Sequence, residues 1–160
     1  MLRYGLALLI VASPFSALAG ELPKEGNYDF TACYSGVNNA ITFSKTHTAS
    51  SFELTGTTRS NPPGGVFDKV AYRCVGANTS LDGKVTASNL CENVDVDGDK
   101  YLTRILTADG KTTRTIVAGT GKYEGIVTTQ TAFENLGPFP TIKDGTSQGC
   151  VHQTGTYKLK

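Results

Sequence analysis

Asp-Gly steps separate short β-prone segments in the second half of this 160-residue chain. The four steps are Asp82-Gly83, Asp97-Gly98, Asp109-Gly110 and Asp144-Gly145. Asp-Gly suits tight hairpin turns, because the central residues of such turns adopt positive φ. The segments between the steps are rich in valine, isoleucine and threonine, and none keeps apolar residues at helical spacing. The sequence therefore predicts an all-β protein whose consecutive strands run up and down as neighbours.

Alternation of apolar and polar residues places the strands. Tyr28, Phe30, Ala32 and Tyr34 share one face of the first strand, which indicates a face built for a core. A sheet of about eight such strands either closes or splits into a sandwich, and closure removes the exposed edges. We therefore predict an eight-stranded antiparallel up-and-down β-barrel. Its expected strands are 28–35, 40–47, 51–58, 69–77, 84–94, 100–108, 112–118 with 126–133 as one strand or two, and 150–159.

The first nineteen residues have the pattern of a secretory signal peptide. Arg3 supplies the charged start, Leu6 to Ala12 the apolar stretch, and Ala17-Leu18-Ala19 a small-residue cleavage site. We therefore expect an exported protein, periplasmic or secreted, with a signal peptide at 1–19 and a single β-barrel domain at 20–160. No later run approaches the ~20 apolar residues that a membrane-spanning helix requires, so no membrane span is expected.

Four cysteines are predicted to form two structural disulfides, because disulfides persist in exported proteins. Three pairings are possible, and sequence alone does not choose among them. We favour Cys74 with Cys91, which lie on successive predicted strands. We also favour Cys33 with Cys150, because the first and last strands become neighbours if the sheet closes. A cysteine-histidine metal site is disfavoured, since no C-x-x-C spacing occurs.

The balance of charged residues argues against nucleic acids and anionic membrane surfaces as partners. The chain has 15 Lys plus Arg and 14 Asp plus Glu. Loss of Arg3 with the signal peptide leaves 15 − 1 = 14 of each sign, a net charge of zero. Without a basic cluster, we expect no nucleic acid and no anionic membrane surface as partner. The oligomeric state stays open.

Three acids at Asp95, Asp97 and Asp99 begin like a calcium-binding loop, but the rest of that motif is missing. Lys100 stands where the loop needs glycine, and Leu106 stands where it needs glutamate. The acids are therefore predicted to form a solvated hairpin turn, and no metal or other cofactor is expected.

The segment from Ile116 to Ile126, IVAGTGKYEGI, is the most distinctive in the chain. Gly119 and Gly121 are predicted to permit a bulge or sharp bend at a barrel corner, where other residues would be strained. A phosphate-binding loop is excluded, because Gly121-Lys122 is followed by Tyr123 rather than by Ser or Thr.

This segment resembles the strand, glycine turn and strand signature of the allene oxide cyclase and dirigent barrel superfamily. Gly119-Thr120-Gly121 and the aromatic Tyr123 match, while Ala118 stands at the first glycine of the family pattern. The resemblance extends loosely to 91–100 and 155–159, as in uncharacterised exported bacterial members, and covers roughly half of the chain after the signal peptide. It implies a calycin-like barrel with an apolar cavity, used in some relatives for cofactor-free cyclisation and in others for steering a coupling reaction. The family's site residues have no definite counterparts here.

A cavity of that kind would be lined by the inward apolar faces and a few polar groups that orient a small ligand. The candidate lining residues are Tyr34, His47, Tyr72 and Gln153; His47 is included because it continues the alternation of Ile41 and Phe43. We therefore expect an exported barrel that binds a small apolar or aromatic molecule.

Two alternatives stay open. One is a cofactor-free cyclase or isomerase, which a buried acid or base with a perturbed pKa would favour. The other is a protein-interaction or inhibitor module, in which the barrel is solid and the loops around Pro62-Pro63 and Phe139 carry recognition. Catalytic residues are not assigned.

Overall fold

The computed structural model describes residues 22–160, so the predicted signal peptide lies outside the described residues. Eight antiparallel strands form one sheet that curls into a nearly closed barrel. No helix among these residues is long and apolar enough to cross a membrane. The strands are β1 (Glu25–Thr42), β2 (His47–Ser60), β3 (Ala71–Leu81), β4 (Lys84–Val94), β5 (Lys100–Ala108), β6 (Lys111–Gly119), β7 (Val127–Asn135) and β8 (Thr146–Lys158), with a 3-10 turn at Gly121–Tyr123.

Neighbouring strands follow the order β6-β5-β4-β3-β2-β1-β8-β7, which confirms the predicted all-β, eight-stranded up-and-down arrangement. The sheet ends, β6 and β7, face each other across a seam that the Gln130 side chain bridges. Its Oε1 accepts from the Arg114 backbone N–H at 2.8 Å, and its Nε2 donates to the Thr112 carbonyl at 2.8 Å. The amide of Gln130 thus supplies the donor and the acceptor that a paired strand would provide.

One predicted strand needs correction, and one choice that the sequence left open is decided. The predicted run 40–47 is not a strand of its own, because β1 continues to Thr42 and residues 43–46 form the turn into β2. Asn38 and Asn39 suggest a break by composition, yet β1 stays paired with β2 through this region, so tertiary pairing overrides local preference. The interrupted seventh run is two strands, β6 and β7.

Two of the four Asp-Gly steps form the predicted tight hairpin turns. Asp82-Gly83 joins β3 to β4 with φ of 50° and 79°, and Asp109-Gly110 joins β5 to β6 with φ of 51° and 71°. Positive φ at both central residues is the geometry that matches the twist of the flanking strands. Asp97-Gly98 lies instead in the longer turn 95–99, and Asp144-Gly145 lies at the end of the loop 136–145, with positive φ at the glycine only in both.

One end of the barrel is plugged by the loop between β2 and β3. Val66, Phe67 and Val70 of this loop are almost fully buried. The Tyr123 hydroxyl donates to the Val66 carbonyl at 2.9 Å, and the Val70 N–H donates to the Thr58 hydroxyl at 3.1 Å. The hydrophobic core gathers around this plug and closes this end of the barrel. Its other members include Tyr28, Phe30, Tyr101, Ile126 and Tyr157.

Both disulfides join directly opposed residues of adjacent strands, as predicted. Cys33 of β1 pairs with Cys150 of β8, and Cys74 of β3 pairs with Cys91 of β4. Cys74 and Cys91 are buried on the inner face, whereas Cys33 is exposed on the outer face. Since Cys150 is bonded, it is not a free thiol beside His152.

Candidate functional site

A cavity of about 490 Å³ occupies the barrel between the plugged end and the opposite, open end. This volume lies within the range of small-molecule sites, roughly 300–1,000 Å³. Residues from all eight strands line it. Its apolar wall includes Phe30, Ala32, Phe52, Leu54, Ile105, Phe133 and Val151, and its mouth carries the neutral polar residues Asn38, Ser50, Asn78, Thr107, Thr112, Asn135 and Ser147.

Tyrosines and glycines alternate across four strands of the wall. Gly149 of β8 opposes Tyr34 of β1, which opposes Gly56 of β2, which opposes Tyr72 of β3. A Cβ added at Gly56 would lie 2.5 Å from the Tyr72 ring, and one at Gly149 would lie 2.7 Å from the Tyr34 hydroxyl. The absence of a side chain at these glycines therefore lets both tyrosine rings lie along the wall.

The floor of the cavity carries a buried arginine. The Arg114 guanidinium carbon lies 4.9 Å from the centroid of the Phe67 ring, 5.5 Å from Phe30 and 5.7 Å from Tyr101. These distances are within cation–π range. The residue is only 7% exposed, although it lines the cavity.

No carboxylate among residues 22–160 forms an ion pair with Arg114, and its Nη1 atom has no hydrogen-bond partner among them. A guanidinium stays protonated in proteins. Burial of an unpaired charge costs several kcal/mol, which cation–π contacts of about 0.5–2 kcal/mol offset only in part. The floor therefore presents a positive charge that lacks an anionic partner within the described part of the chain.

The phenols near this charge stay neutral at physiological pH. Burial raises the pKa of Tyr101 to about 12, although the nearby Arg114 acts to lower it. Burial likewise raises the pKa of Tyr28, against the same opposing effect of Arg114. For Tyr72, burial raises the pKa, and the neighbouring Tyr34 and Tyr101 add to the rise. These groups can donate hydrogen bonds but do not serve as bases near neutral pH.

The buried amides of the cavity fall into two classes. The Asn93 amide nitrogen donates to the Cys91 and Tyr101 carbonyls and to the Thr103 hydroxyl, so it braces β4 against β5. By contrast, Asn89 Oδ1 and Gln153 Oε1 have no partner among the described residues. Because buried polar groups are normally hydrogen-bonded, unpartnered ones on a cavity wall indicate a ligand or water as the missing partner.

Three of the four predicted lining residues, Tyr34, Tyr72 and Gln153, line the cavity. His47 does not, which corrects its predicted placement. Its ring lies at the β1–β2 turn, where Nδ1 is 3.0 Å from the Thr46 hydroxyl and Nε2 is 3.5 Å from an Asp82 carboxylate oxygen. The alternation with Ile41 and Phe43 failed for two reasons. Ile41 belongs to the continuous strand β1 and lies on the same outer face as Cys33, and Phe43 lies in the turn at 43–46, so both side chains are exposed.

The glycine segment forms the plugged-end corner. Gly119 is the last residue of β6, and Gly121 starts the 3-10 turn with φ of 52°. A Cβ at Gly119 would collide with the Tyr123 carbonyl, and one at Gly121 with the Asp99 carboxylate. The absence of a side chain at both positions therefore lets the backbone lie close to Tyr123 and to the Asp99 carboxylate.

The acids of the apparent calcium loop are held by a lysine. Lys122 Nζ lies 2.6 Å from Asp95 Oδ2 and 2.7 Å from Asp97 Oδ2. Burial acts to raise the pKa of Asp95. Hydrogen bonds from Lys122 and from the Asp97 N–H, together with the charge of Lys122, outweigh this effect and hold the pKa below its usual value. Within 22–160, no group of three or more metal-ligating side chains is arranged to hold a metal ion.

Arg114 is not among the lining residues predicted from the sequence. The signal was present, because Thr112, Arg114 and Ile116 share one face of β6, and Ile116 indicates which face points inward. A search for charged residues at inward positions of strands would therefore have identified Arg114.

No family model, no curated protein and no solved structure matches this chain. The likeness of 116–126 to the allene oxide cyclase and dirigent signature therefore remains a prediction.

Proposed function

We propose that this protein acts outside the cytoplasm and binds a small apolar or aromatic molecule in the barrel cavity. Export is supported by the two disulfides, which are typical of oxidising compartments, together with the pattern of the first nineteen residues. Binding needs no cofactor in this proposal, because the cavity walls themselves supply apolar area and orienting polar groups.

The observation that carries the proposal is the open-ended cavity of about 490 Å³ with unpartnered polar atoms on its walls. A core that exists only for stability is packed without such space. Here the volume is bounded by apolar residues such as Leu54, Phe133 and Val151, while Asn89 and Gln153 offer free hydrogen-bonding groups. That combination is typical of a pre-formed small-molecule site.

Binding is better supported than catalysis. Among the described residues that line the cavity, none is Asp, Glu, His or Lys. Burial raises the pKa of Tyr72 and of Tyr101, which makes these two phenols hydrogen-bond donors rather than bases. A cofactor-free cyclase or isomerase would need these neutral donors and the Arg114 charge to act by orienting a reactive substrate. Catalysis is therefore the second candidate.

A protein-interaction module is less well supported, because it assumes a solid barrel and the barrel contains the cavity. The two loops named for it also lie at opposite ends. The loop after Pro62-Pro63 plugs the barrel with Phe67, while Phe139 and Ile142 sit exposed in the β7–β8 loop at the open end. In this proposal, these exposed apolar residues lie beside the entry to the cavity.

The test is titration with phenylnaphthylamine, a neutral apolar probe whose fluorescence rises in a dry site. Ala87 lines the mouth on β4, so Ala87→Trp is expected to fill the entry and lower the affinity at least about tenfold. Ser88 is the next residue on the same strand and is exposed on the outer face, so Ser88→Trp is the matched control and should bind as the parent does.

Denaturant midpoints of both variants establish that each is folded. Saturable one-to-one binding that is lost only in Ala87→Trp supports the proposal. Binding that is absent from the parent, or equal in all three proteins, overturns it.

A further inference from the structure

We infer that the cavity is specific for carboxylic acids, with the ligand carboxylate bound to Arg114 at the floor and the apolar body lying toward the mouth. This inference rests on the proposed binding function and names its ligand class. The observation behind it is that, among the described residues that line the cavity, Arg114 alone carries a charge.

Arg114 needs an anion more than any other group in the cavity. It is 7% exposed, has no ion pair and leaves Nη1 unpartnered within the described chain. Its guanidinium is held in place from below by the faces of Phe30, Phe67 and Tyr101. The planar fork of a guanidinium matches a carboxylate through two parallel hydrogen bonds. A carboxylate that reaches the floor would therefore balance this charge.

The charge count of the wall favours a monoanion. Arg114 is the only charged residue among the cavity lining in 22–160. A phosphate ester carries close to two charges at neutral pH, and a second cation to balance it is absent from this lining. One guanidinium balances one carboxylate.

The rest of the cavity favours an apolar body on that acid. Above the floor lie Leu54, Ile105 and Phe133, and the mouth is lined by uncharged side chains such as Asn78 and Asn135. Gln153, which opposes Phe30 across the β1–β8 ladder, has an unpartnered buried amide oxygen. An amide side chain can donate to a carboxylate from its NH₂ group or accept from a hydroxyl at its oxygen. The fitting ligand class is thus a small aromatic or aliphatic monocarboxylic acid.

The test compares naphthoic acid with naphthamide, which has nearly the same shape and no charge. Calorimetry at neutral pH should show that the parent protein prefers the acid by about ten- to hundredfold, the range expected for hydrogen bonds to a charged group. Arg114→Met keeps the length of the stem but removes the charge, so it should lose this preference and retain naphthamide binding. Arg104→Met is the control, since Arg104 is an exposed residue of the neighbouring strand β5.

A second measurement on the parent protein covers the case in which Arg114→Met does not fold. As the pH is lowered through the pKa of naphthoic acid, near 4 by analogy with other carboxyls, its affinity should fall toward that of naphthamide, while naphthamide binding stays constant.

Each outcome separates the two proposals. Equal affinity for acid and amide, or a preference for the acid that persists in Arg114→Met, overturns the carboxylate assignment and leaves the binding cavity standing. Failure of both probes to bind the parent overturns the binding function as well.

Discussion

The guanidinium carbon of Arg114 lies 4.9 Å from the centroid of the Phe67 ring, so β6 meets the β2–β3 plug at the floor of the cavity. Phe67 in turn packs edge-on against Tyr28 and Phe30, with centroids 5.3 and 5.5 Å away. The same plug that closes the barrel therefore supports the charge of Arg114 in the cavity lining.

Replacing Arg114 tests whether that charge serves stability. Because a buried unpaired charge is costly, Arg114→Met should leave the free energy of unfolding unchanged or raise it by about 1 kcal/mol. Urea denaturation of Arg114→Met beside Arg104→Met measures this. A loss of more than about 2 kcal/mol in the first variant only would mean that Arg114 is chiefly structural.

The Asp95–Lys122 ion pair should stabilise the plugged end. The Asp95 side chain is 2% exposed and that of Lys122 28% exposed, so Lys122→Met leaves a buried carboxylate unpaired and should cost about 3 kcal/mol. Lys100→Met removes an exposed pair with Glu92 and should cost less than about 1 kcal/mol. Equal losses in the two variants by chemical denaturation would contradict this assignment.

Acid stability should reflect the same carboxylate. The pKa of Asp95 is lower in the folded protein than its usual 3.8, so its stabilising contribution is complete above that pH and is lost as the pH falls below it. Denaturation midpoints measured below pH 3.8 should therefore fall more steeply for the parent than for Asp95→Asn. Parallel curves for the two proteins would exclude Asp95 as a source of acid sensitivity.

Alkaline unfolding should report the buried phenols. Tyr101 has its pKa raised from 10.0 to about 12, and burial also raises the pKa of Tyr28 and Tyr123. The unfolded chain loses these protons first, so stability is complete below pH 10.0 and declines as the pH rises toward 12. Phenolate absorbance should then lag behind that of a denatured sample. Coincident titration curves would show that the phenols are accessible.

The two disulfides should contribute unequally. Cys33–Cys150 closes a loop with a sequence separation of 117, and Cys74–Cys91 one of 17. Loop-closure entropy predicts losses of about 5 and about 3 kcal/mol when each pair is replaced by serine. Guanidinium denaturation of the two double variants ranks them. The reverse order would indicate that contacts at the inner Cys74–Cys91 pair outweigh chain entropy.

Much of the barrel could be predicted from the sequence, because turns and strand faces depend on residues that are close together in the chain. Asp-Gly steps need positive φ, and alternation distinguishes the inner face of Tyr28 to Tyr34 from the outer one. The end of β1 could not be predicted, since pairing with β2 carries the strand through Asn38-Asn39 to Thr42. Because the predicted strand boundary was wrong, the prediction placed His47 in the cavity.

The cavity itself was predictable only in part. Tyr34, Tyr72 and Gln153 follow from alternation, but the unfilled volume depends on how the β2–β3 plug packs, which no local pattern encodes. The inward position of Arg114 could be predicted from the alternation of β6. Its lack of a counter-ion could not, because that depends on where every carboxylate lies in the described structure.

The most direct measurement is a crystal structure of the protein with a bromonaphthoic acid, whose anomalous signal locates the ring. The account predicts one molecule inside the barrel, with its carboxylate within hydrogen-bond distance of the Arg114 guanidinium and its ring toward Leu54 and Phe133. A cavity that stays empty, or a ligand bound with its carboxylate at the mouth beside Asn78, would contradict it.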